Sequence, residues 1–500
     1  MVGTVGPMAT DTSAQTYDEI ARRAIADWHD AVVPLLLEYG RIPNLSPAYD
    51  PEWEAHGELE RAAELYAAWA RGRGLDGAEV EVVRIDGLSP TVFIDVPATD
   101  PGATGTVLVY GHYDKQPPFV GWGEGRGPWT PTLEGDFLYG RGMADDGYAM
   151  PSALVALESI RAAGGRHARC VVLIEGSEES GSPHLPAVLA HLADRIGTPD
   201  LVLALDSSSP TDDRLWITTS LRGAVVGTLR VDVLDHGVHS GSAGAVVPDS
   251  FRIARLLLGR IEDAATGDPL LPELVVEPPA GTAAAAERMA EALEDAGTEG
   301  PPFPVVEGLE LQGATRAEQA VRVAWSASVA VVGADGLPPT VEAGAVLRPS
   351  TTLKLVVRVP PTADAGAADA AIARAVTTDP PHGARITWES EQSADGWAAP
   401  ALAPWLDRAL DRASEAAFGR PSAQVGEGGT IPFLGWLAAR FPDAQILALG
   451  VLIPGSNHHG PDESLHLPTA ERVTGAVATL VAEHADRGVS QGECHGSRRE

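Results

Sequence analysis

Cysteine, basic side chains and long apolar runs are all scarce in this sequence, and each scarcity excludes a class of protein. Two cysteines occur in 500 residues, Cys170 inside an apolar run and Cys494 in a polar stretch. This predicts a protein without disulfides in a reducing compartment. Lysine and arginine number 36 against 69 acidic residues, which gives a formal net charge of −33. Such a charge disfavours nucleic acid and anionic membranes as partners, because both bind basic groups.

The sequence also lacks any stretch that would carry the chain into or across a membrane. Its apolar runs are far shorter than the roughly 20 residues that span a bilayer. Residues 1–16 show neither the basic nor the apolar region of a signal peptide. We therefore expect a cytoplasmic protein. The stretches 1–16 and 487–500 are expected to be disordered tails.

Short apolar runs that end in possible metal ligands are, by contrast, abundant. Four such runs, at 106–110, 169–174, 201–205 and 445–451, are continuous rather than alternating, and stretches of helical periodicity separate them. Continuous runs predict an α/β protein in which helices flank a mostly parallel central sheet. Ligands of such sheets collect beyond the carboxyl ends of the strands.

The pattern changes between residues 217 and 392. It becomes strand, helix, strand, strand, helix, strand, the ferredoxin-like βαββαβ unit. The expected strands are 225–233, 324–332, 351–359 and 384–391. An insertion at 265–320 carries one expected helix, Ala283–Ala296. The sequence therefore predicts a discontinuous larger domain, 17–216 and 393–486, that is interrupted by a smaller domain, 217–392.

The turn Gly140–Gly147 carries Asp145 and Asp146 side by side, and two adjacent carboxylates repel each other unless a cation is present. Alone, this stretch would be an ordinary solvated turn. The strand ends and their loops add further possible ligands, namely His112, Asp114, Glu178, Glu179, Asp206 and His459. Each has an ordinary explanation by itself, as a core histidine, a helix start or a helix cap. Their convergence on one sheet edge favours a metal centre.

The spacing of these residues suggests how they divide the chemistry. His112 and Asp114 lie two apart on an extended segment, so both side chains can face the same side and one can orient the other. Adjacent Glu178 and Glu179 point in different directions, which suits one for a cation and one for a water. Asp145 could bridge two cations, and two divalent ions about 3.5–4 Å apart can share a hydroxide. Histidine and carboxylate ligands without cysteine suit Zn²⁺, and also Mn²⁺ or Co²⁺.

Seven motifs give the sequence a resemblance to a family of di-zinc metallopeptidases. This family includes carnosine-type dipeptidases, glutamate carboxypeptidases, acetylornithine deacetylase, succinyl-diaminopimelate desuccinylase and aminoacylase. The motifs, in family order, are Tyr110–Asp114, Tyr139–Asp146, Glu175–Gly181, Asp206, Val238–Gly241, Gly426–Pro432 and Asn457–Glu463. The resemblance implies a catalytic domain interrupted by a smaller lid domain, and a homodimer formed through that lid.

The resemblance implies a role for each candidate metal ligand. His112, Asp145 and Asp206 would hold one zinc ion. Asp145, Glu179 and His459 would hold the other, so that Asp145 bridges the pair.

Three further residues are implied to take part in catalysis. Asp114 would orient His112, and Glu178 would be the general base on the bridging water and then the acid toward the leaving amine. His239 matches a lid histidine that stabilises the oxyanion in the partner's site in dimeric members. Without the resemblance, His239 would be taken for a turn histidine.

The substrate contacts implied by the resemblance lie on the lid and on a glycine-rich loop. Arg358 matches an arginine that binds the terminal carboxylate of the substrate, although it could be an exposed strand charge. Gly428, Gly429 and Thr430 match a loop that contacts the same carboxylate, although these glycines could serve only a tight turn. Gly147 departs from the family, whose members often carry lysine there.

These features predict an enzyme that hydrolyses a peptide-type amide bond next to a free carboxylate. A dipeptidase or another exopeptidase with two divalent cations and Glu178 as base is the first expectation. An N-acyl-amino-acid deacylase or a carboxypeptidase would use the same centre, because only the substrate pocket differs. A non-catalytic relative is the remaining alternative. The expected partners are a small peptide or N-acyl amino acid and a second copy of the chain.

Overall fold

The computed structural model describes residues 12–298 and 303–487, whose strands fall mainly into one large and one small sheet. The helices are α1 (Thr12–Tyr39), α2 (Trp53–His56), α3 (Glu58–Gly72), α4 (Ala149–Ala162), α5 (Leu185–His191), α6 (Ala193–Ile196), α7 (Ser240–Ala243), α8 (Ser250–Leu258), α9 (Thr282–Asp295), α10 (Arg316–Trp325), α11 (Ala365–Thr377), α12 (Pro404–Phe418), α13 (Pro432–Arg440) and α14 (Leu467–Asp486). The strands are β1 (Glu79–Val83), β2 (Thr91–Val96), β3 (Thr106–His112), β4 (Thr132–Glu134), β5 (Phe137–Tyr139), β6 (Arg169–Glu175), β7 (Leu201–Ala204), β8 (Trp216–Leu221), β9 (Gly223–Asp232), β10 (Val238–His239), β11 (Ser328–Asp335), β12 (Val346–Leu347), β13 (Ser350–Val359), β14 (Arg385–Ala394), β15 (Trp397–Ala398), β16 (Ala423–Glu427), β17 (Gln445–Ala448) and β18 (Ser464–His466).

The large sheet has the order β1-β2-β6-β3-β7-β17-β8-β15, with β16 also pairing with β8. Its four middle strands, β6, β3, β7 and β17, run parallel to one another. Antiparallel pairs lie toward the two edges of the sheet. Since the middle strands point the same way, their carboxyl ends lie side by side. The predicted α/β class with a mostly parallel central sheet is confirmed.

Helices cover both faces of this sheet and explain why its strands are continuously apolar. The helices α1, α4, α12 and α14 pack together on one face, and α5 and α13 pack on the other. Every residue of β7 is buried, and so are all residues of β3 and β6 after the first. Cys170 in β6 is part of this core, and burial raises the pKa of its thiol to about 12. Cys494 lies outside the described residues.

The small sheet has the order β11-β13-β9-β14, and all its pairs are antiparallel. Its apolar side packs on α8 and α11. This is the predicted βαββαβ topology, inserted between strands of the large sheet as expected of the fold class. The chain leaves the large sheet after β8 and rejoins it at β15. The exact domain limits stay a prediction.

The segment between α8 and β11 differs from the expectation of a single helix followed by a strand from residue 324. The structure has α9 and then a second helix, α10, and the strand begins only at Ser328. Thr315 caps α10, because its hydroxyl accepts a hydrogen bond from Glu318 N at 3.1 Å. Ala324 and Trp325, whose apolar character suggested a strand, are instead the buried end of this helix.

The two ends of the chain are described only in part. α1 begins at Thr12, so residues 12–16 are helical where a tail was expected. The rest of the predicted tails, 1–11 and 488–500, lies outside the described residues. Among the helices that the structure describes, none combines the length and the apolar character needed to span a bilayer.

Candidate active site

The carboxyl ends of the four middle strands bring most of the predicted ligands to one edge of the sheet. β3 ends at His112, and a short helical turn after β6 carries Glu178 and Glu179. Asp206 follows β7, and His459 lies in the loop between β17 and β18. Residues far apart in the chain therefore meet because their strands are parallel neighbours in the sheet.

Asp145 lies between two histidines. It belongs to the turn Met143–Gly147 just before α4, and its peptide bond to Asp146 is cis. Asp145 Oδ1 is 3.1 Å from His112 Nε2, and Asp145 Oδ2 is 2.9 Å from His459 Nε2. Each carboxylate oxygen thus faces a different imidazole, which is the arrangement that a carboxylate bridging two cations needs.

The other acidic side chains complete two groups of oxygens and nitrogens around Asp145. Glu179 Oε2 lies 3.1 Å from His459 Nε2. Asp206 Oδ2 and Glu178 Oε2 lie 3.8 and 4.0 Å from His112 Nε2. Ligand atoms of His112, Asp145 and Glu179 all lie within 4.8 Å of one another, as do those of His112, Glu178 and Asp206.

The charges of this cluster fit divalent cations. In the part of the chain that the structure describes, no lysine or arginine lies within 4.0 Å of the four carboxylates, and the basic groups within that distance are the imidazoles of His112 and His459. Burial raises the pKa of Asp206 to about 7 and raises that of Glu178 well above its usual value. Burial opposes protonation of His459, but hydrogen bonds to Asp145 and Glu179 outweigh it and raise the pKa to about 11. Divalent cations would supply the positive charge that protons supply here.

Asp114 fixes two parts of this cluster at once. Its two carboxylate oxygens accept hydrogen bonds from Glu178 N and Glu179 N, both at 3.0 Å. Its Oδ1 is also 3.4 Å from His112 Nδ1. The side chain therefore holds the imidazole and the acidic turn in a common frame. Gln116 adds to this frame by donating to Glu179 Oε2 at 2.6 Å.

A buried ion pair that the sequence analysis missed supports the Asp145 turn. Arg141 Nη1 donates to Glu463 Oε2 at 2.8 Å, and both side chains are 1% exposed. Glu463 also accepts hydrogen bonds from Gly142 N at 3.0 Å and from Ala144 N at 3.2 Å. Both charged residues stand in motifs already noted, and their opposite charges were the available signal, but sequence spacing does not reveal that they pair.

A buried lysine explains why glycine stands at position 142, directly before the turn Met143–Gly147. Lys115 Nζ donates to Tyr39 O at 3.0 Å and to Ile42 O at 2.9 Å. Gly142 packs against this side chain with φ +77°, and a Cβ there would lie 2.7 Å from Lys115 Cε. A larger residue would be excluded both by its backbone conformation and by this contact.

The acidic cluster opens into a cleft of about 490 Å³ that also contains part of the predicted substrate loop. Arg358, Gly429 and Thr430 line this cleft together with Glu178 and Asp206. Arg358 Nη1 donates to Thr430 Oγ1 at 2.9 Å. Among the described residues, no carboxylate lies within 4.0 Å of the Arg358 guanidinium, and burial lowers its pKa.

Four predicted site residues lie outside this lining, namely the buried His112 and Asp114 described above, Gly428 and His239. Gly428 packs under the loop, where its carbonyl accepts a hydrogen bond from Arg222 Nε at 3.3 Å. His239 is exposed on the short strand β10, and its Nδ1 accepts from Gly241 N at 3.2 Å. His239 does not line the cleft of its own chain.

Comparisons with known proteins agree on one family. A family model described as peptidase family M20/M25/M40 matches residues 108–483. A cysteinylglycine-S-conjugate dipeptidase from Corynebacterium striatum is 28% identical over 460 residues, which cover 88% of this chain and 93% of that protein. The structure of human carnosine dipeptidase 1 matches with a TM-score of 0.69 at 21% identity, over 95% of this chain and 99% of the other. That of the dipeptidase Dug1p from Saccharomyces cerevisiae matches with a TM-score of 0.70 at 18% identity, with the same coverage.

Proposed function

This chain belongs to peptidase family M20/M25/M40, and we propose that it is a dipeptidase that uses two zinc ions. It is a metallopeptidase with side chains suited to a divalent metal centre. The full-length relative from Corynebacterium striatum is named a dipeptidase, which supports dipeptides as the substrate class. Zinc is proposed because the ligand set combines imidazole and carboxylate without cysteine.

The position of Asp145 between His112 and His459 is the observation that carries this proposal. In the proposed centre, Asp145 is shared, His112 and Asp206 complete one site, and Glu179 and His459 complete the other. Bound divalent cations would polarise the scissile carbonyl and lower the pKa of a water. Asp114 keeps His112 in the orientation that presents Nε2 to the centre.

Glu178 is the proposed general base and acid. Its carboxylate lies in the cleft, 4.0 Å from His112 Nε2, and no arginine or lysine among the described residues neutralises it. Glu178 would take a proton from the attacking water and then deliver it to the leaving amide nitrogen. Burial raises the pKa of this carboxyl, which suits a group that must hold a proton between the two steps.

Arg358 and Thr430 are the proposed contacts of the substrate carboxylate. The guanidinium lies in the same cleft as Glu178 and is bonded only to a hydroxyl among the described residues, so donors are left for an anion. Gly429 lines the cleft beside them, and Gly428 shapes the loop from below. A free carboxylate at this point would place the scissile bond of a short peptide near Glu178.

A homodimer in which His239 serves the partner's cleft is part of the same proposal. His239 is exposed on the lid and does not line its own cleft, as a residue acting in trans requires. Mixing inactive His239→Ala and inactive Glu178→Gln chains tests this directly. A trans role predicts that mixed dimers regain activity, since one of their two clefts is complete. Mixed dimers without recovery would contradict it.

Hydrolysis of a substrate panel by metal-loaded protein tests the proposed function. The panel contains dipeptides, N-acetyl amino acids and longer peptides, each measured with zinc, manganese or cobalt and with a chelator. Chelator-sensitive cleavage of dipeptides is the expected result. Cleavage of N-acyl amino acids alone would instead assign a deacylase with the same centre, and no cleavage at all would favour a non-catalytic relative. A cytoplasmic location stays a prediction.

A further inference from the structure

Glu427 is a carboxylate that lines the cleft and has no role so far. It belongs neither to the proposed metal centre nor to the proposed contacts of the substrate carboxylate. It is the last residue of β16 and lines the cleft with Glu178, Asp206 and Arg358. Among the described residues, no lysine, arginine or histidine lies within 4.0 Å of it. A charge in such a position is available to a ligand.

Three hydroxyl groups hold this carboxylate in a fixed orientation. Thr218 Oγ1 donates to Glu427 Oε1 at 2.6 Å, and Ser207 Oγ donates to the same oxygen at 3.3 Å. Ser208 Oγ donates to Oε2 at 3.0 Å. Thr218 and Ser207 are buried, and their hydroxyl oxygens lie 2.6 Å apart, so the two hydroxyls also support each other. Hydroxyl donors orient a carboxylate without bringing a countercharge to it.

The cradle ties Glu427 to the proposed reaction centre. Ser207 and Ser208 directly follow Asp206, whose Oδ2 is 3.8 Å from His112 Nε2. On the other side, the loop runs only three residues further to Thr430, which binds Arg358. The cleft therefore presents one anion, Glu427, and one cation, Arg358, to the same ligand.

We propose that Glu427 binds the terminal ammonium group of the substrate and makes the enzyme select peptides with a free amino end over N-acyl amino acids. This inference rests on the proposed function and adds a specificity residue to it. An ammonium group would find in Glu427 an oriented, uncompensated carboxylate. An acyl group without an amine would cover that carboxylate without bringing a countercharge to it, which is costly.

Two pairs of substrates isolate the ammonium group. Acetylalanine is glycylalanine without its amino group, and propionylalanine is alanylalanine without its amino group, so the scissile bond and the carboxylate are the same within each pair. The measured quantity is the ratio of kcat/KM between the members of a pair. We expect the wild type to favour the free dipeptide in both pairs.

Glu427→Gln keeps the shape of the side chain and removes its charge. We expect kcat/KM for the free dipeptides to fall by about 10- to 100-fold, with the acyl substrates changed by less than about threefold. Glu389→Gln is the matched control, because Glu389 is an exposed carboxylate on β14 outside the cleft. It should leave both rates unchanged. Thr218→Val removes the closest hydroxyl donor to Glu427 and should lower the same ratio by a smaller factor.

The possible results separate the two levels of the proposal. An equal loss on both members of a pair would assign Glu427 to loop positioning and overturn its role as ammonium site. A wild type that cleaves the acyl substrates at least as well as the dipeptides would also overturn that role, while the metal-dependent hydrolase stands. No cleavage of either class would overturn the proposed function and this assignment with it. If Glu427→Gln lacks a cooperative melting transition, Thr218→Val and the wild-type ratio decide.

Discussion

The two sides of the cleft are built differently. The acidic side, formed by His112, Asp145, Glu178, Glu179, Asp206 and His459, rests on the parallel strands of the large sheet, and Asp114 and Glu463 hold its turns through backbone hydrogen bonds. The basic side is formed by Arg358, and Arg222, which lies outside the lining, supports the same loop through Gly428 O. Among the described residues neither arginine has a carboxylate partner, and both donate to hydroxyl or carbonyl oxygens.

This difference teaches how the site divides its tasks. The acidic side must keep several like charges at fixed distances, so its four carboxylates are largely buried, and Asp114 and Glu463 hold the turns that carry three of them. The basic side keeps its positive charge without a counter-ion among the described residues, and burial lowers the pKa of Arg222 to about 10, with Arg358 nearby adding to the effect. An anion that enters the cleft would relieve that repulsion. The fixed geometry of the acidic side therefore suits the proposed hydrolysis, and the uncompensated charge of the basic side suits binding of the substrate carboxylate.

The largest expected effect comes from removing the proposed base on the acidic side. Glu178→Gln should lower kcat by about 10²- to 10⁴-fold, since a carboxamide cannot carry the proton. Metal content, measured on the purified protein by elemental analysis, should equal that of the wild type, because Glu178 is not a proposed ligand. A variant that loses less than about tenfold would show that another group moves the proton.

The next largest effect concerns the support beneath the acidic side. Glu463→Gln should lower the free energy of unfolding by about 3–5 kcal/mol, because it leaves Arg141 buried without its counter-ion. Urea unfolding of metal-free protein measures this. The exposed pair of Arg126 and Glu134 provides the control, and Glu134→Gln should change stability far less. Similar losses for the two variants would contradict the structural role given to Glu463.

A smaller effect is expected on the basic side, and it should depend on the substrate. Arg358→Met should lower kcat/KM for glycylalanine by about 10- to 100-fold, as expected for loss of a charged hydrogen bond. Glycylalanine amide, which lacks the carboxylate, should be cleaved at a nearly unchanged rate. If Arg358→Met instead lowers kcat/KM equally for glycylalanine and its amide, Arg358 is a structural residue. The contrast between the two sides of the cleft would then be lost.

The acidic side was predictable from the sequence to a greater degree than its supports. Apolar runs ending in His112, Glu178 and Asp206 identify strand ends, and parallel strands bring such ends together. The distance between Asp145 and each histidine, however, depends on the three-dimensional path of the turn Met143–Gly147. Glu463 and Glu427 were visible only as charges, because a pairing or a hydroxyl cradle between distant segments has no local signal.

The fold shows the same limit. Continuous apolar runs were enough to predict the large sheet, and the order of expected strands and helices was enough to predict the βαββαβ unit. The helix α10 was missed because Ala324 and Trp325 form an apolar run that fits a strand as well as a helix end. The cap by Thr315 marks where α10 begins, but it lies nine residues before Ala324 and gives no local signal there.

The position of β17 between β7 and β8 has a consequence for the biosynthesis of the protein. Translation delivers β7 and β8 long before β17, so the large sheet stays open at its middle until the last part of the chain is made. His459 and Glu463 arrive later still. A ribosome-bound or truncated chain therefore lacks one face of the Asp145 bridge, and we expect it to be inert toward the peptides around it.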